Sequence, residues 1–158
     1  MTETKFVYVT FISTTPERLW QALTTAEFTK QYWFGMHQDT DWKPGSPWRL
    51  VFADGRVADA GEIVAADPPK RLVIKWRDEW KKWRNEWRPE LRSEGFSYCT
   101  FGLEPANGAV KLTITHTIDR ADSKLIEAVA GGWPKILSNL KSLLETGKIA
   151  LETVSACG

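Results

Sequence analysis

The sequence predicts an α+β fold, a curved antiparallel sheet wrapped around one long C-terminal helix. Three observations predict it. From Asp122 to Thr146, Leu125, Val129, Trp133, Ile136, Leu137, Leu140, Leu143 and Leu144 recur at helical spacing, so one face of a long helix is apolar. Nearly everything between the first helix and this one reads as strands of alternating apolar and polar residues. The chain has 158 residues, enough for one core and too few for two. The helix must therefore bury its stripe against the concave face of the sheet. Such a grip encloses an apolar space, suited to a small molecule.

The elements follow in order. Lys5 to Ser13 alternates aromatic and β-branched residues and reads as a strand. Ser13, Thr14 and Thr15 can cap a helix, and Pro16 suits its first turn. That helix runs to about Leu23, and a second covers about Ala26 to Trp33. Gly35 to Pro47 reads as a loop with turn residues at Lys43-Pro44-Gly45-Ser46. Trp48 to Ala53 and Arg56 to Ala66 form a hairpin about Asp54-Gly55. Asp67-Pro68-Pro69 forces a turn, because neither proline donates to a ladder. Arg71 to Trp76 is the next strand. Phe96 to Glu104 and Ala109 to Ile118 form a last hairpin. The long helix then starts from Asp119 or Asp122 and stops at Gly147, a residue that tolerates positive φ. Gly131, Gly132 and Pro134 lie in its middle, where a kink or break is expected. Residues 1–147 are read as one domain and 148–158 as a loosely held tail.

Composition excludes several classes. The net charge is +1, so nucleic acid is not an expected partner on electrostatic grounds. No apolar run approaches the length of a membrane span. Met1-Thr2-Glu3-Thr4-Lys5 lacks the layout of a signal peptide. Cys99 and Cys157 make no disulfide framework, and a cytoplasmic location is expected. Nine tryptophans are many for a small core, so some are expected to line a cavity or a contact surface.

The stretches Thr15-Pro16-Glu17-Arg18-Leu19-Trp20-Gln21-Ala22-Leu23-Thr24 and Gln31-Tyr32-Trp33-Phe34-Gly35 carry a resemblance. So do Pro44-Gly45-Ser46-Pro47-Trp48, Asp67-Pro68-Pro69-Lys70-Arg71-Leu72, Gly132-Trp133-Pro134 and Leu140-Lys141-Ser142-Leu143-Leu144. In this order they resemble the bacterial family related to the C-terminal domain of the activator of Hsp90 ATPase, within the START/Bet v 1-like superfamily. The resemblance implies a helix-grip fold with two short helices after the first strand. It also implies a choice of activities: binding of lipids, polyketides or other hydrophobic molecules, a cyclase or aromatase reaction, or regulation of an Hsp90-type ATPase. Fold alone does not choose among them.

Strand alternation assigns the pocket. Val110, Leu112, Ile114, His116 and Ile118 share one face, as do Leu72, Ile74 and Trp76, then Trp48, Leu50 and Phe52, then Cys99, Phe101 and Leu103. The expected ligand-pocket residues are Trp33, Trp48, Leu50, Phe52, Trp76, Phe101, His116, Val129, Trp133 and Ile136. Each of these also reads as ordinary core. His116 is the one inward group that titrates near neutrality, so it is the candidate for a catalytic base. A histidine satisfied by neighbouring groups is the plainer alternative. No metal-ligand spacing, phosphate loop or triad signature occurs, and no cofactor is expected. The favoured function is binding of a hydrophobic or aromatic small molecule without catalysis.

Trp76-Arg77-Asp78-Glu79-Trp80 and Trp83-Arg84-Asn85-Glu86-Trp87 repeat one pattern seven residues apart. Trp80, Trp83 and Trp87 continue one helical face from Trp76. This face reads as a lid on the pocket mouth, or as a self-association surface in a homodimer. Contact with a membrane surface or single-stranded nucleic acid is the third reading, against which the mixed charge weighs.

Overall fold

The computed structural model describes residues 3–78 and 94–151. Seven strands and three helices occur among them. They are β1 (Thr4–Ile12), α1 (Pro16–Thr24), α2 (Ala26–Tyr32), β2 (His37–Asp39), β3 (Pro47–Val51), β4 (Val57–Asp67), β5 (Arg71–Asp78), β6 (Ser97–Ala106), β7 (Ala109–Ile118) and α3 (Lys124–Thr146). All neighbouring strands are antiparallel, in the order β1-β7-β6-β5-β4-β3-β2. The first strand thus lies beside the last, and β1 and β2 are the sheet edges. The core lies between one face of this sheet and α3, the helix-grip architecture.

Local chemistry sets the helix ends. Thr15 Oγ1 accepts from Arg18 N at 3.2 Å, and Pro16 opens α1. Tyr32 Oη donates to Ala22 O at 3.0 Å and ties α2 back to α1. The cap of α3 is Ser123, whose Oγ accepts from Ile126 N at 3.0 Å, and neither expected aspartate serves. Asp122 instead takes φ 52°, turning the chain just before the helix. Gly147 closes α3 at φ 83°, its N–H bonded to Leu143 O.

The segment 35–47 is not loop throughout: His37–Asp39 pairs with β3 through His37↔Val51, Gln38↔Leu50 and Asp39↔Arg49. Three residues are too few to show a period of two. Of the kink or break expected in the long helix, the break does not occur: α3 runs through Pro134 without interruption. Proline removes one helical hydrogen bond, and the apolar stripe on both sides holds the helix to the sheet: Leu125, Ile126, Trp133, Ile136, Leu137, Leu140 and Leu143 are all buried. Gly131 is exposed, and a Cβ there would meet nothing within 4 Å. Gly131→Ala is expected to stabilise the protein by about 0.5–1 kcal/mol in urea unfolding, by restricting the unfolded chain and favouring helix.

Candidate functional site

Four tryptophans converge between the sheet and α3. Trp48 comes from β3, Trp76 from β5, Trp33 from the end of α2 and Trp133 from α3, and all are buried. Trp48 and Trp76 meet at 4.8 Å between ring centroids, Trp33 and Trp133 at 5.4 Å, Trp76 and Trp133 at 5.8 Å, and Trp33 and Trp76 at 6.2 Å. Phe101 of β6 stands edge-on to Trp133 at 5.7 Å. The tilted and edge-on angles are those aromatic quadrupoles favour.

Gly61 makes the closest of these contacts available. Register places it opposite Trp48 on β3 and opposite Trp76 on β5. A residue with no side chain therefore lies between the two strands that deliver these indoles.

His116 is fully buried and fully engaged. Trp133 Nε1 donates to its Nδ1 at 3.2 Å. Its Nε2 lies 2.8 Å from Ser97 Oγ, which donates in turn to Trp76 O at 3.1 Å. An indole N–H can only donate, so Nδ1 is the acceptor and Nε2 carries the proton. A directed chain results, from Trp133 through His116 and Ser97 to the backbone of Trp76. Burial pushes the imidazole pKa down from 6.5 to about 3. The ring is neutral at physiological pH, and its basic nitrogen is occupied. As arranged, His116 is a hydrogen-bonding bridge between sheet and helix.

This depression fixes a pH dependence. Unfolded, the imidazole takes a proton near pH 6.5; folded, only near pH 3. In between, the unfolded state binds more protons, so stability rises with pH and falls on acidification. His116 should contribute a slope approaching about 1.4 kcal/mol per pH unit below pH 6.5, and none above it. Urea unfolding of the wild type and His116→Gln at pH 7, 6 and 5 checks this. The variant should lose that part of the slope, and parallel curves would refute it.

The four indole N–H groups differ in partners. That of Trp133 binds His116, and that of Trp48 donates to Gln38 Oε1 at 2.9 Å while Gln38 Nε2 donates to Leu23 O at 3.0 Å. Those of Trp33 and Trp76 are buried and, among the described residues, find no hydrogen-bond partner. Two adjacent rings in the middle of the cluster therefore hold donors that no described residue accepts.

The other expected pocket residues surround this centre. Leu50, Phe52 and Ile136 are buried, and Val129 is half-buried against the same core. Trp80, Trp83 and Trp87 lie outside the described residues. Three residues of the site were not anticipated: Gln38, Ser97 and Gly61. Among the described residues no three His, Cys, Asp or Glu side chains gather as a metal site, and no helix is long and apolar enough to cross a membrane.

Residues 13–145 match the family described as Activator of Hsp90 ATPase homolog 1-like protein. No curated protein matches the sequence. Solved structures share the fold. Protein MLL2253 from Mesorhizobium loti is 24% identical, with a TM-score of 0.73 over 92% of this chain and 100% of that one. The Aha1 dimer from Colwellia psychrerythraea is 20% identical, with a TM-score of 0.67 over 92% and 98%. PFC0360w from Plasmodium falciparum, described as an HSP90 activator, is 22% identical, with a TM-score of 0.67 over 89% and 95%.

Proposed function

The chain belongs to the Activator of Hsp90 ATPase homolog 1-like family, and from that premise we propose that it binds a hydrophobic or aromatic small molecule between the sheet and α3, without catalysing a reaction on it. The observation that carries this reading is the pair of donors that no described residue accepts, Trp33 Nε1 and Trp76 Nε1. A buried donor left unmade costs about 1–3 kcal/mol. A guest that offers a carbonyl or hydroxyl oxygen to these groups recovers that cost, while its apolar body stacks on the surrounding indoles. Sites of this composition, mostly apolar with a few placed polar groups, are what small-molecule pockets are made of. The engagement of both His116 nitrogens supports binding over acid–base chemistry.

Isothermal titration calorimetry with flat aromatic ketones and phenols, beside hydrocarbons of the same shape, tests the proposal. The oxygenated compounds should bind saturably. Trp33→Phe and Trp76→Phe keep an aromatic ring and remove the donor. Each should weaken an oxygenated ligand at least about 5-fold, the loss of one hydrogen bond of roughly 1 kcal/mol, and leave the hydrocarbon unaffected. No saturable heat from any compound would overturn the reading.

A second reading, regulation of an Hsp90-type ATPase, is favoured by the family's description and by that of the Plasmodium falciparum relative. It predicts a changed rate of ATP hydrolysis when the protein is added to an Hsp90 chaperone. An unchanged rate at saturating protein would remove it.

A further inference from the structure

Strand β1 is a sheet edge, and three of its four outward side chains are apolar, Lys5 being the fourth. Val7, Val9 and Phe11 are 49%, 44% and 52% exposed. Sheet edges are ordinarily blunted by charges, proline or bulges, because a bare edge pairs with any strand it meets. From Thr4 to Ile12 there is one charge, Lys5, and no proline, and the pairing with β7 is regular along its whole length. The far end is already covered. Lys141 Nζ donates to Phe11 O at 2.6 Å, and Ser13 N donates to Glu145 Oε2 at 2.8 Å, so α3 holds residues 11 and 13. Thr4–Thr10 is left. Beside its start a groove of about 560 Å³ opens between β1 and the first turns of α3, with Phe6, Ile126 and Ala130 among its walls.

We propose that β1 is the interface between two copies of this chain, paired antiparallel about a two-fold axis at Val7, so that one sheet runs through the dimer. The occupant is a second copy because the strand complements itself. Val7 is the midpoint of the uncovered stretch and gives the longest pairing. It sets Val7 against Val7, Lys5 against Val9, Phe6 against Tyr8 and Thr4 against Thr10. The single charge thus meets an apolar residue and never its own copy. An axis at Lys5 would oppose two lysines, which is unfavourable. An axis at Tyr8 or Val9 would draw in Phe11, whose carbonyl Lys141 holds. The rings of Phe6 and Tyr8 already stack along β1 at 6.4 Å. In this register they meet the same pair from the second copy, and such cross-strand aromatic contacts stabilise sheets. The groove beside Phe6 gives the incoming strand room under α3.

Cross-linking reads the register directly. In a Cys157→Ser background, which leaves only the buried Cys99, Val7→Cys should oxidise to a covalent dimer. Residues opposed across an antiparallel pair have Cα atoms about 4.5–5.5 Å apart, within disulfide reach. Lys5→Cys and Val9→Cys should each stay uncross-linked alone and join when mixed. By light scattering the wild type should have about twice the 18.0 kDa chain mass, and Val7→Lys, with unchanged circular dichroism, the single mass. A monomeric wild type at about 0.1 mM, or a dimer in which Val7→Cys fails to cross-link, would overturn the proposal.

Discussion

Gly61→Ala is expected to be among the most damaging single substitutions in this protein, although it adds one methyl group. An alanine Cβ at this position would lie 1.7 Å from Lys75 O and 2.7 Å from the carbon of the same carbonyl. Both are backbone atoms of the neighbouring strand, so no side-chain rotation relieves the clash. Strands β4 and β5 would have to separate at the pair Gly61↔Trp76, and β3 would feel it through Trp48↔Gly61. The contact between the Trp48 and Trp76 rings spans that point. Overpacking in ordinary cores costs about 1–3 kcal/mol, and a clash with fixed backbone belongs at or above the top of that range. Urea unfolding followed by far-UV circular dichroism reads the loss. Gly131→Ala makes the same chemical change where it meets nothing and should move the midpoint the other way. A Gly61→Ala variant as stable as the wild type would show that the two strands do not approach as described.

The second large effect is at Trp133. This side chain touches the rings of Trp33, Trp76, Phe101 and His116 and donates to His116. It is the helix's contribution to the cluster, so its removal separates α3 from the sheet at their centre. Trp133→Ala should cost about 3–5 kcal/mol, the usual loss on truncating a buried large aromatic. Domains of this size hold only about 5–15 kcal/mol in total. Trp133→Phe divides the effect. It keeps a ring in place and removes the donor, leaving His116 Nδ1 buried without a partner, for about 1–3 kcal/mol. A cost for the alanine variant below about 1 kcal/mol would mean that the cluster collapses around the gap and that α3 is held elsewhere.

Much of the interior could be read along the chain. Alternation placed Leu72, Ile74 and Trp76, and likewise Val110, Leu112, Ile114, His116 and Ile118, on single faces, and all of them are buried. The same parity reaches Ser97, two residues before the inward Cys99, so the partner of His116 lay within reach of that argument. Gln38 did not, because β2 is too short to show a period and the bond to Trp48 depends on the β2–β3 pairing. Gly61 was harder still. In sequence, a glycine within a strand is only a weak residue; its role appears once register sets two tryptophans on either side.

By itself, then, the sequence determined which face of each strand and of the terminal helix is apolar, and hence that a sheet must close around that helix. This follows because side-chain direction repeats locally, every two residues in a strand and every 3.6 in a helix. Which rings touch, why His116 is neutral, and why two of four buried indole groups lack a partner among the described residues were decided only by the tertiary structure. Those outcomes depend on strand register and on where a helix lands on the sheet, and both are set by contacts between residues distant in the chain.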